Sequence, residues 1–334
     1  DGFTSAVDWV YSLDLLIGGI AGMAFVVLES RKLGFKWWPV LVALGFVTAF
    51  AFVFPLFLAI RARLLEKKAL AGGRLDQFEF DGHRVDVWVP ANLNPETPVL
   101  VMHDGKNVFF SEHSTFGATW GILDALRDGR IRGDKKPLIV AVWGLGYGTL
   151  INELGPEDLY VAHPEIFDML PPELMPATRT PMSNAYQALI ATRILPELAA
   201  KYGIALHPDR TAIAGSSMGG LASLYALTQF PETYGTALCV STHWSMSTSR
   251  SWRSFIEQLP SPSEGHRIWF DHGTEFIDTE YGAKQAEINV ELSRRGWAWP
   301  QVESRTYVGT AHNEQEWEVR LPVILKWWLE GLEF

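Results

Sequence analysis

Hydrophobic patterning divides the chain into two regimes. In the first, apolar positions run on without a period. WVYSLDLLIGGIAGMAFVVL extends from Trp9 to Leu28 with Asp14 inside it, and WWPVLVALGFVTAFAFVFPLFLAI extends from Trp37 to Ile60 without a charge. About 20 apolar residues form a helix that spans a bilayer core. The second run meets that length easily, whereas the acidic residue in the first is costly in lipid. Gly18, Gly19 and Gly22 would let the first helix approach a neighbour closely, and Trp37 and Trp38 sit where an interfacial aromatic belt is expected. The pattern predicts a transmembrane helical hairpin that meets the lipid bilayer through residues 9–60. RARLLEKKALAGGRL (61–75) reads as a basic helical extension ending at Gly72-Gly73. The domains are therefore 1–75, a membrane anchor, and 76–334, a second domain of different patterning.

The second regime alternates strands and helices. RVDVWVP (84–90) has the period of a half-buried strand. PVLVMHD (98–104), PLIVAVWG (137–144), TAIAGS (211–216), TALCVS (236–241) and HRIWFDH (266–272) are continuous apolar runs, as strands covered on both faces require. Helical stretches lie at 184–202, 218–229, 281–295 and 314–331. The fold class is α/β, a doubly wound, mostly parallel sheet, whose site is expected at the carboxyl ends of the strands.

Net charge is −10. Residues 1–80 contribute +1, from eight Lys and Arg against seven Asp and Glu, and the remainder −11, from twenty against thirty-one. An acidic second domain excludes nucleic acid as the expected partner, because phosphate neutralisation needs Lys and Arg. Basic residues flank the second apolar run by four on its far side (Arg61, Arg63, Lys67, Lys68) against three before it (Arg31, Lys32, Lys36). That count favours the cytoplasmic side for the second domain. The single cysteine, Cys239, lies in an apolar run, reads as a core residue and allows neither an intrachain disulfide nor a cysteine metal site. The chain opens on Asp1 instead of Met, as a processed or partial chain would.

The chemistry concentrates at Gly215-Ser216-Ser217-Met218-Gly219, a G-x-S-x-G motif centred on Ser217. A chain this long matches the motif by chance about one time in ten. Its context adds weight: an apolar strand enters, a helix rich in Ala and Leu leaves, and the glycines fall where a strained strand-to-helix turn needs them. Ser217 is the expected nucleophile. A serine hydroxyl needs a general base, which in α/β-hydrolases follows the nucleophile and the acid in chain order. His312, in the loop YVGTAHNEQEW before the last helix, is the expected base. The acid should come from DHGTEFIDTEY, where Asp278 and Glu275 both qualify. Backbone N–H donors for an oxyanion are expected from Met218 and from Lys106 or Gly105 in the loop HDGKN. His243, Trp244 and Asp104 are candidate pocket residues, with Trp120, Trp143 and Trp317 near the same loops. The Pro-rich stretch 153–183 is a candidate lid. No cofactor is expected, and no H-E-x-x-H or similar cluster suggests a metal.

VLVMHDGKNVF, INELGP, SNAYQALIATRILPEL, GSSMGG, DHGTEFID and GTAHNEQEW, in that order, resemble the esterase D family, which groups S-formylglutathione hydrolases, enterochelin-type esterases, feruloyl esterases and mycolyltransferases. The resemblance covers roughly 84–331. It implies an α/β-hydrolase fold, a Ser–acid–His triad with Ser217 and His312, an acid in the 275–278 loop, no cofactor, and transfer of an acyl group from a small-molecule ester. The N-terminal segment resembles a small bacterial membrane domain of unknown function, which implies anchorage in a bacterial inner membrane. The leading reading is a serine carboxylic-ester hydrolase. Its alternatives are an acyltransferase of the mycolyltransferase type and a membrane scaffold with an inactive hydrolase domain. The oligomeric state is left open.

Overall fold

The computed structural model describes residues 6–48, 50–127, 131, 135–170, 175–176, 178–246 and 248–332. Internal contacts divide the chain into two units, Asp1–Gly72 and Gly73–Phe334.

The first unit holds α1 (Ala6–Lys32), α2 (Trp38–Val47) and α3 (Phe50–Ala69). Val7–Lys32 is long and apolar enough to cross a membrane. The single helix expected over 37–60 is corrected to two. The helix stops after Val47, where Thr48 leaves helical backbone geometry and turns both its amide and its hydroxyl onto the Leu44 carbonyl, each at 2.9 Å. A threonine hydroxyl that competes for a helix carbonyl in this way loosens the following turn. Each of α2 and α3 contributes an apolar stretch shorter than a bilayer core requires. The count of flanking charges presupposes the longer span and loses its basis. Val26, Leu41, Val53 and Phe57 form a buried cluster. Close approach occurs at Gly22, where a methyl group would run into the Phe50 ring, whereas Gly18 and Gly19 face open space.

The second unit is built on an eight-stranded sheet: β1 (Arg74–Phe80), β2 (His83–Val89), β3 (Val99–Met102), β4 (Leu138–Val142), β5 (Thr211–Ser216), β6 (Thr236–Val240), β7 (Arg267–His272) and β8 (Val302–Thr306). Their order is β1-β2-β4-β3-β5-β6-β7-β8. β1 and β2 form an antiparallel edge, and β3 to β8 with β4 are parallel. The central strands are buried along their length, which is why they read as unbroken apolar runs. β1 escaped the sequence reading because RLDQFEF is mostly exposed or half-buried. Around the sheet lie α4 (Ile122–Arg127), α5 (Leu150–Leu154), α6 (Glu157–Ala162), α7 (Ser183–Leu189), α8 (Leu195–Tyr202), α9 (Met218–Gln229), α10 (Ser249–Ile256), α11 (Tyr281–Arg294) and α12 (Glu314–Glu330). A π-turn, Ile190–Ile194, joins α7 to α8, so the helix predicted over 184–202 is continuous but underwound once. Much of the candidate lid is core: Leu159, Tyr160, Ile166 and Phe167 are buried in the main hydrophobic cluster. Residues 171–174 and 177 of that stretch lie outside the described residues.

Parallel pairing aligns the carboxyl ends of β3, β5, β6, β7 and β8. The loops that leave them, 103–107, 216–218, 241–244, 273–280 and 307–313, therefore gather at one edge of the sheet.

Candidate active site

β5 ends in a forced turn. Ser217 has φ 55° and ψ −119° and stands at the head of α9, a backbone state that costs a non-glycine residue about 1–3 kcal/mol. The turn is held by Ser217 N–H donating to Val240 O at 2.9 Å, and by Ser217 O accepting from the amides of Gly220 and His243. Gly215 is required: a β-carbon there would collide with the backbone of Gly219. Met218 N–H sits in the first turn of α9, where amides have no acceptor within the helix.

Beside it, β3 pairs with β5, and His103 N–H donates to Ala214 O at 2.9 Å. HDGKN is thereby set against the serine turn. A β-carbon on Gly219 would lie 3.3 Å from His103 Cβ and 3.4 Å from Asp104 Oδ2. Asp104 adopts left-handed geometry (φ 52°, ψ 49°) and opens a 3₁₀ turn over Gly105–Asn107. Gly105 packs so tightly on Trp143 and Ala141 that a β-carbon would be 2.5 Å from the indole. The Asp104 side chain is half-buried. Poor hydration around its carboxyl pushes its pKa up to about 6 against the pull of Lys106, with Glu314 and Glu153 adding to the rise.

Loop 273–280 places the two candidate carboxylates in different surroundings. Glu275 is exposed. Phe276 adopts a positive φ of 53°, and the 3₁₀ turn Phe276–Glu280 directs Asp278 inward, where it is 1% exposed. Asp278 Oδ1 lies 2.6 Å from His312 Nδ1. Its Oδ2 accepts from Gly273 N–H at 2.6 Å and from Ser241 Oγ at 2.9 Å. Burial alone would raise the Asp278 carboxyl. The hydrogen bond and charge of His312, with Gly273 and Ser241, outweigh it and hold the group below its ordinary value. It is thus ionised in the neutral range.

His312 is braced by aromatic edges. Its ring centroid lies 5.0 Å from Trp317 and 5.7 Å from Tyr281, both near perpendicular. Asn313 caps α12 by accepting from Glu316 N–H, and Asn107 Nδ2 donates to Glu314 Oε1 at 3.2 Å. That bond ties the HDGKN loop to the histidine loop. Behind the acid, Ser241, itself at a positive φ of 41°, accepts from Trp317 Nε1 at 3.1 Å and Arg320 Nη1 at 3.2 Å. Arg320 is buried, pairs with Asp271 at 3.0 Å and also donates to Thr310 Oγ1.

Among the pocket candidates, His243 and Asp104 lie at the site. Trp244 does not line it: the indole is fully buried in the core against Trp252 and Phe270, and its Nε1–H donates to Gln285 at 2.9 Å. Trp120 and Trp317 are buried partners 5.8 Å apart. The sequence reading missed Tyr281, Ser241 and Asn107. Tyr281 begins α11, is fully buried, and holds its hydroxyl 2.6 Å from His243 Nδ1. No motif marks these three residues in one dimension. Among the described residues no group of three or more His, Cys, Asp or Glu side chains is arranged to hold a metal ion.

Comparison with known proteins bears on the fold and the family. The Esterase family model, described as "Putative esterase", matches residues 171–328, and the model "Protein of unknown function DUF2834" matches residues 1–63. No curated protein matches the chain in sequence. The chain is similar in fold to the enterobactin esterase FES from Shigella flexneri (TM-score 0.53, 16% identity, covering 78% of this chain and 60% of that one). It therefore spans less than two thirds of that enzyme's length. It is likewise similar to the enterobactin and salmochelin hydrolase IroE (TM-score 0.54, 17% identity, 76% of this chain and 95% of that one). A third similar structure is the siderophore hydrolase EstA from Aspergillus nidulans (TM-score 0.52, 16% identity, 76% and 91%). Their shared sheet is that of the α/β-hydrolases. Along the chain, a match to the DUF2834 model over residues 1–63 is thus followed by a match to the Esterase model over residues 171–328.

Proposed function

We propose that the protein is a serine esterase in which Ser217, His312 and Asp278 act in sequence. Ser217 Oγ attacks the ester carbonyl while His312 Nε2 takes its proton. Asp278 fixes the ring so that Nδ1 carries the hydrogen and Nε2 is free to accept. The oxyanion is met by Met218 N–H and by the amide of Lys106 or Gly105. His312 then protonates the leaving alcohol, and water resolves the acyl-enzyme by the reverse path. The observation that carries this reading is the 2.6 Å contact of His312 Nδ1 with a buried, ionised Asp278, at the sheet edge where Ser217 is held in a strained turn. Glu275, exposed, is left without a role in the chemistry.

The substrate is a small-molecule ester. The similar structures act on enterobactin, salmochelin or other siderophores, which makes catecholate siderophore esters the first substrates to assay here. Helix α1 anchors the esterase to a membrane.

Labelling by a fluorophosphonate probe tests the mechanism. The wild-type protein is expected to label rapidly and Ser217→Ala not at all; an unlabelled wild type, or a labelled Ser217→Ala, defeats the reading. Anchoring is tested by alkaline extraction of membranes, after which the intact chain should stay in the pellet. Release of the intact chain, or recovery of a chain cut after α1, would remove the anchor.

A further inference from the structure

We propose that the N-terminal unit crosses the membrane once, through α1, while α2 and α3 form a re-entrant pair that enters and leaves the bilayer on one side. That side carries the basic residues, so the esterase stands in the cytoplasm. The proposal rests on the reading of α1 as a membrane anchor and adds the path of the chain and the side it serves.

Contacts within the unit fix the helix directions. Gly22 of α1 meets the Phe50 ring of α3. Phe25 packs on Phe54 and Phe57, with ring centroids 6.1 and 6.0 Å away, and Glu29 pairs with Arg61 at 3.1 Å. Residue numbers rise together, so α1 and α3 are parallel. α2 runs against both: the Arg31 guanidinium lies 5.2 Å from the Trp38 ring centre, whereas Gly45 lies against Met23 and Val53. The apolar stretches of α2 and α3 therefore double back beside each other and do not add up to a crossing. The bend between them comes level with Gly22, ten residues before Lys32 along α1. At about 1.5 Å per residue that depth is about 15 Å, half of a hydrocarbon core of about 30 Å. A helix that ends at such a depth needs its polar groups bonded. The Thr48 amide and hydroxyl both donate to Leu44 O.

α1 continues past that bend. Gly18 and Gly19 face open space, and Leu15, Ile17 and Ile20 are 77%, 64% and 62% exposed, as side chains that meet lipid would be. Trp9 and Tyr11 stand near the head of α1, and Trp37 and Trp38 stand beside Arg31. Such aromatic residues mark the two surfaces of a bilayer. From Trp9 to Arg31 is 22 residues, about 33 Å of helix, which matches the core. Of the charges between these belts, Glu29 is paired with Arg61. Asp14 is five residues from Trp9, nearer the far surface than the centre, where a charge is most costly.

Orientation follows from the helix directions. The loop before α2 and the last turns of α3 lie at one end of the unit, so their charges act together. Arg31, Lys32 and Lys36 join Arg61, Arg63, Lys67 and Lys68, seven in all, against no Lys or Arg in residues 1–30. Counted as opposite flanks the two groups nearly cancel; on one side they add, and the basic side is cytoplasmic. Four residues, 70–73, lead from the end of α3 to β1. The chain thus passes into the esterase on the cytoplasmic side, where its ester substrates are met.

Cysteine labelling of the full chain in a bacterial host tests the topology. The native Cys239, which is buried, is replaced by Ala, and single cysteines are placed at exposed positions as Val7→Cys, Lys36→Cys, Val47→Cys, Arg63→Cys and Glu96→Cys. A membrane-impermeant maleimide is expected to label Val7→Cys in intact spheroplasts. It should label Lys36→Cys, Arg63→Cys and Glu96→Cys only in inverted vesicles, and Val47→Cys from neither side until detergent is added. Lys36→Cys and Arg63→Cys on opposite sides, or Val47→Cys labelled from the side of Val7→Cys, would overturn the re-entrant path. Glu96→Cys labelled in intact spheroplasts would overturn the cytoplasmic assignment. If a cysteine variant does not insert, reporters fused after Phe334 of the unsubstituted chain decide the side. A fluorescent protein that matures only in the cytoplasm should light and an alkaline phosphatase active only outside should stay silent; the reverse overturns the assignment. Alkaline extraction separates the two readings: a chain released from the membrane defeats the anchor itself, whereas a retained chain with the wrong labelling pattern defeats only the topology.

Discussion

Asp278→Asn changes one oxygen of the acid into an NH₂ group and leaves its volume alone. The carboxylate accepts three hydrogen bonds: from His312 at 2.6 Å, from Gly273 N–H at 2.6 Å and from Ser241 at 2.9 Å. An amide has a single oxygen to offer. Ser241 already accepts from Trp317 and Arg320, so its hydrogen must go to residue 278, and Gly273 N–H can only donate. The amide oxygen therefore turns to those two donors and the NH₂ faces His312. Nδ1 then accepts, the ring hydrogen moves to Nε2, and the nitrogen that should take the Ser217 proton is blocked. For a Ser-His-Asp triad this tautomer error costs about 10⁴-fold in turnover, roughly 5.5 kcal/mol at about 1.36 kcal/mol per tenfold.

The measurement is ester hydrolysis and fluorophosphonate labelling across pH 5–9, with Glu275→Gln as the control that should stay within about twofold of wild type. Thermal stability adds a second signature. The folded pKa of Asp278 is depressed, so its stabilisation is present above the unfolded value of about 3.9 and is lost as pH falls through the folded value. The gap in melting temperature between wild type and Asp278→Asn should be widest above about pH 5 and should close below about pH 4. Turnover of Asp278→Asn within tenfold of wild type, or an equal loss in Glu275→Gln, would refute the assignment.

Three further outcomes follow from the same structure. Gly215→Ala should abolish labelling and lower the melting temperature, because the added methyl group meets the Gly219 backbone rather than a movable side chain; a normally active variant would show that the turn is looser than described. Asp104→Asn should stabilise the protein above about pH 6 and make no difference below about pH 4. A carboxyl whose pKa rises on folding to about 6 binds more protons in the native state, so wild-type stability falls across that window as pH rises; parallel pH–stability curves would contradict this. Ser241→Ala should lower kcat and cost about 1–3 kcal/mol, because it leaves buried donors on Trp317 and Arg320 without their acceptor, and denaturant titration beside steady-state kinetics measures both.

The sheet was readable because its central strands are buried on both faces and so become apolar runs. The exposed edge strand β1 carries no such signal and was not seen. The N-terminal segment shows the opposite failure. Composition over 37–60 gives hydrophobic length but says nothing of continuity, and α2 ends at Val47, where Thr48 leaves helical backbone geometry. Trp244 misled for a related reason: its position just beyond a strand end placed it near the loops, while its side chain points into the core.

The acid shows where one-dimensional reading stops. Asp278 and Glu275 are three residues apart in a loop, both carboxylates, both at plausible distances from a histidine 34 or 37 positions later. What separates them is one backbone torsion, the positive φ of Phe276, which sets up the turn that buries Asp278 and leaves Glu275 in solvent. That torsion is held by partners distant in sequence: Glu275 N–H and Thr274 N–H donate to Thr310 O, and Gly309 N–H donates to Thr274 Oγ1. The loop of the acid and the loop of His312 thus fold as one object, and neither has a defined shape alone. Tyr281 follows the same logic. In the sequence it is the unremarked first residue of a helix, and the turn ahead of it brings its hydroxyl to His243 Nδ1. In this fold the strands make the positions available, and contacts between loops decide which residues occupy them.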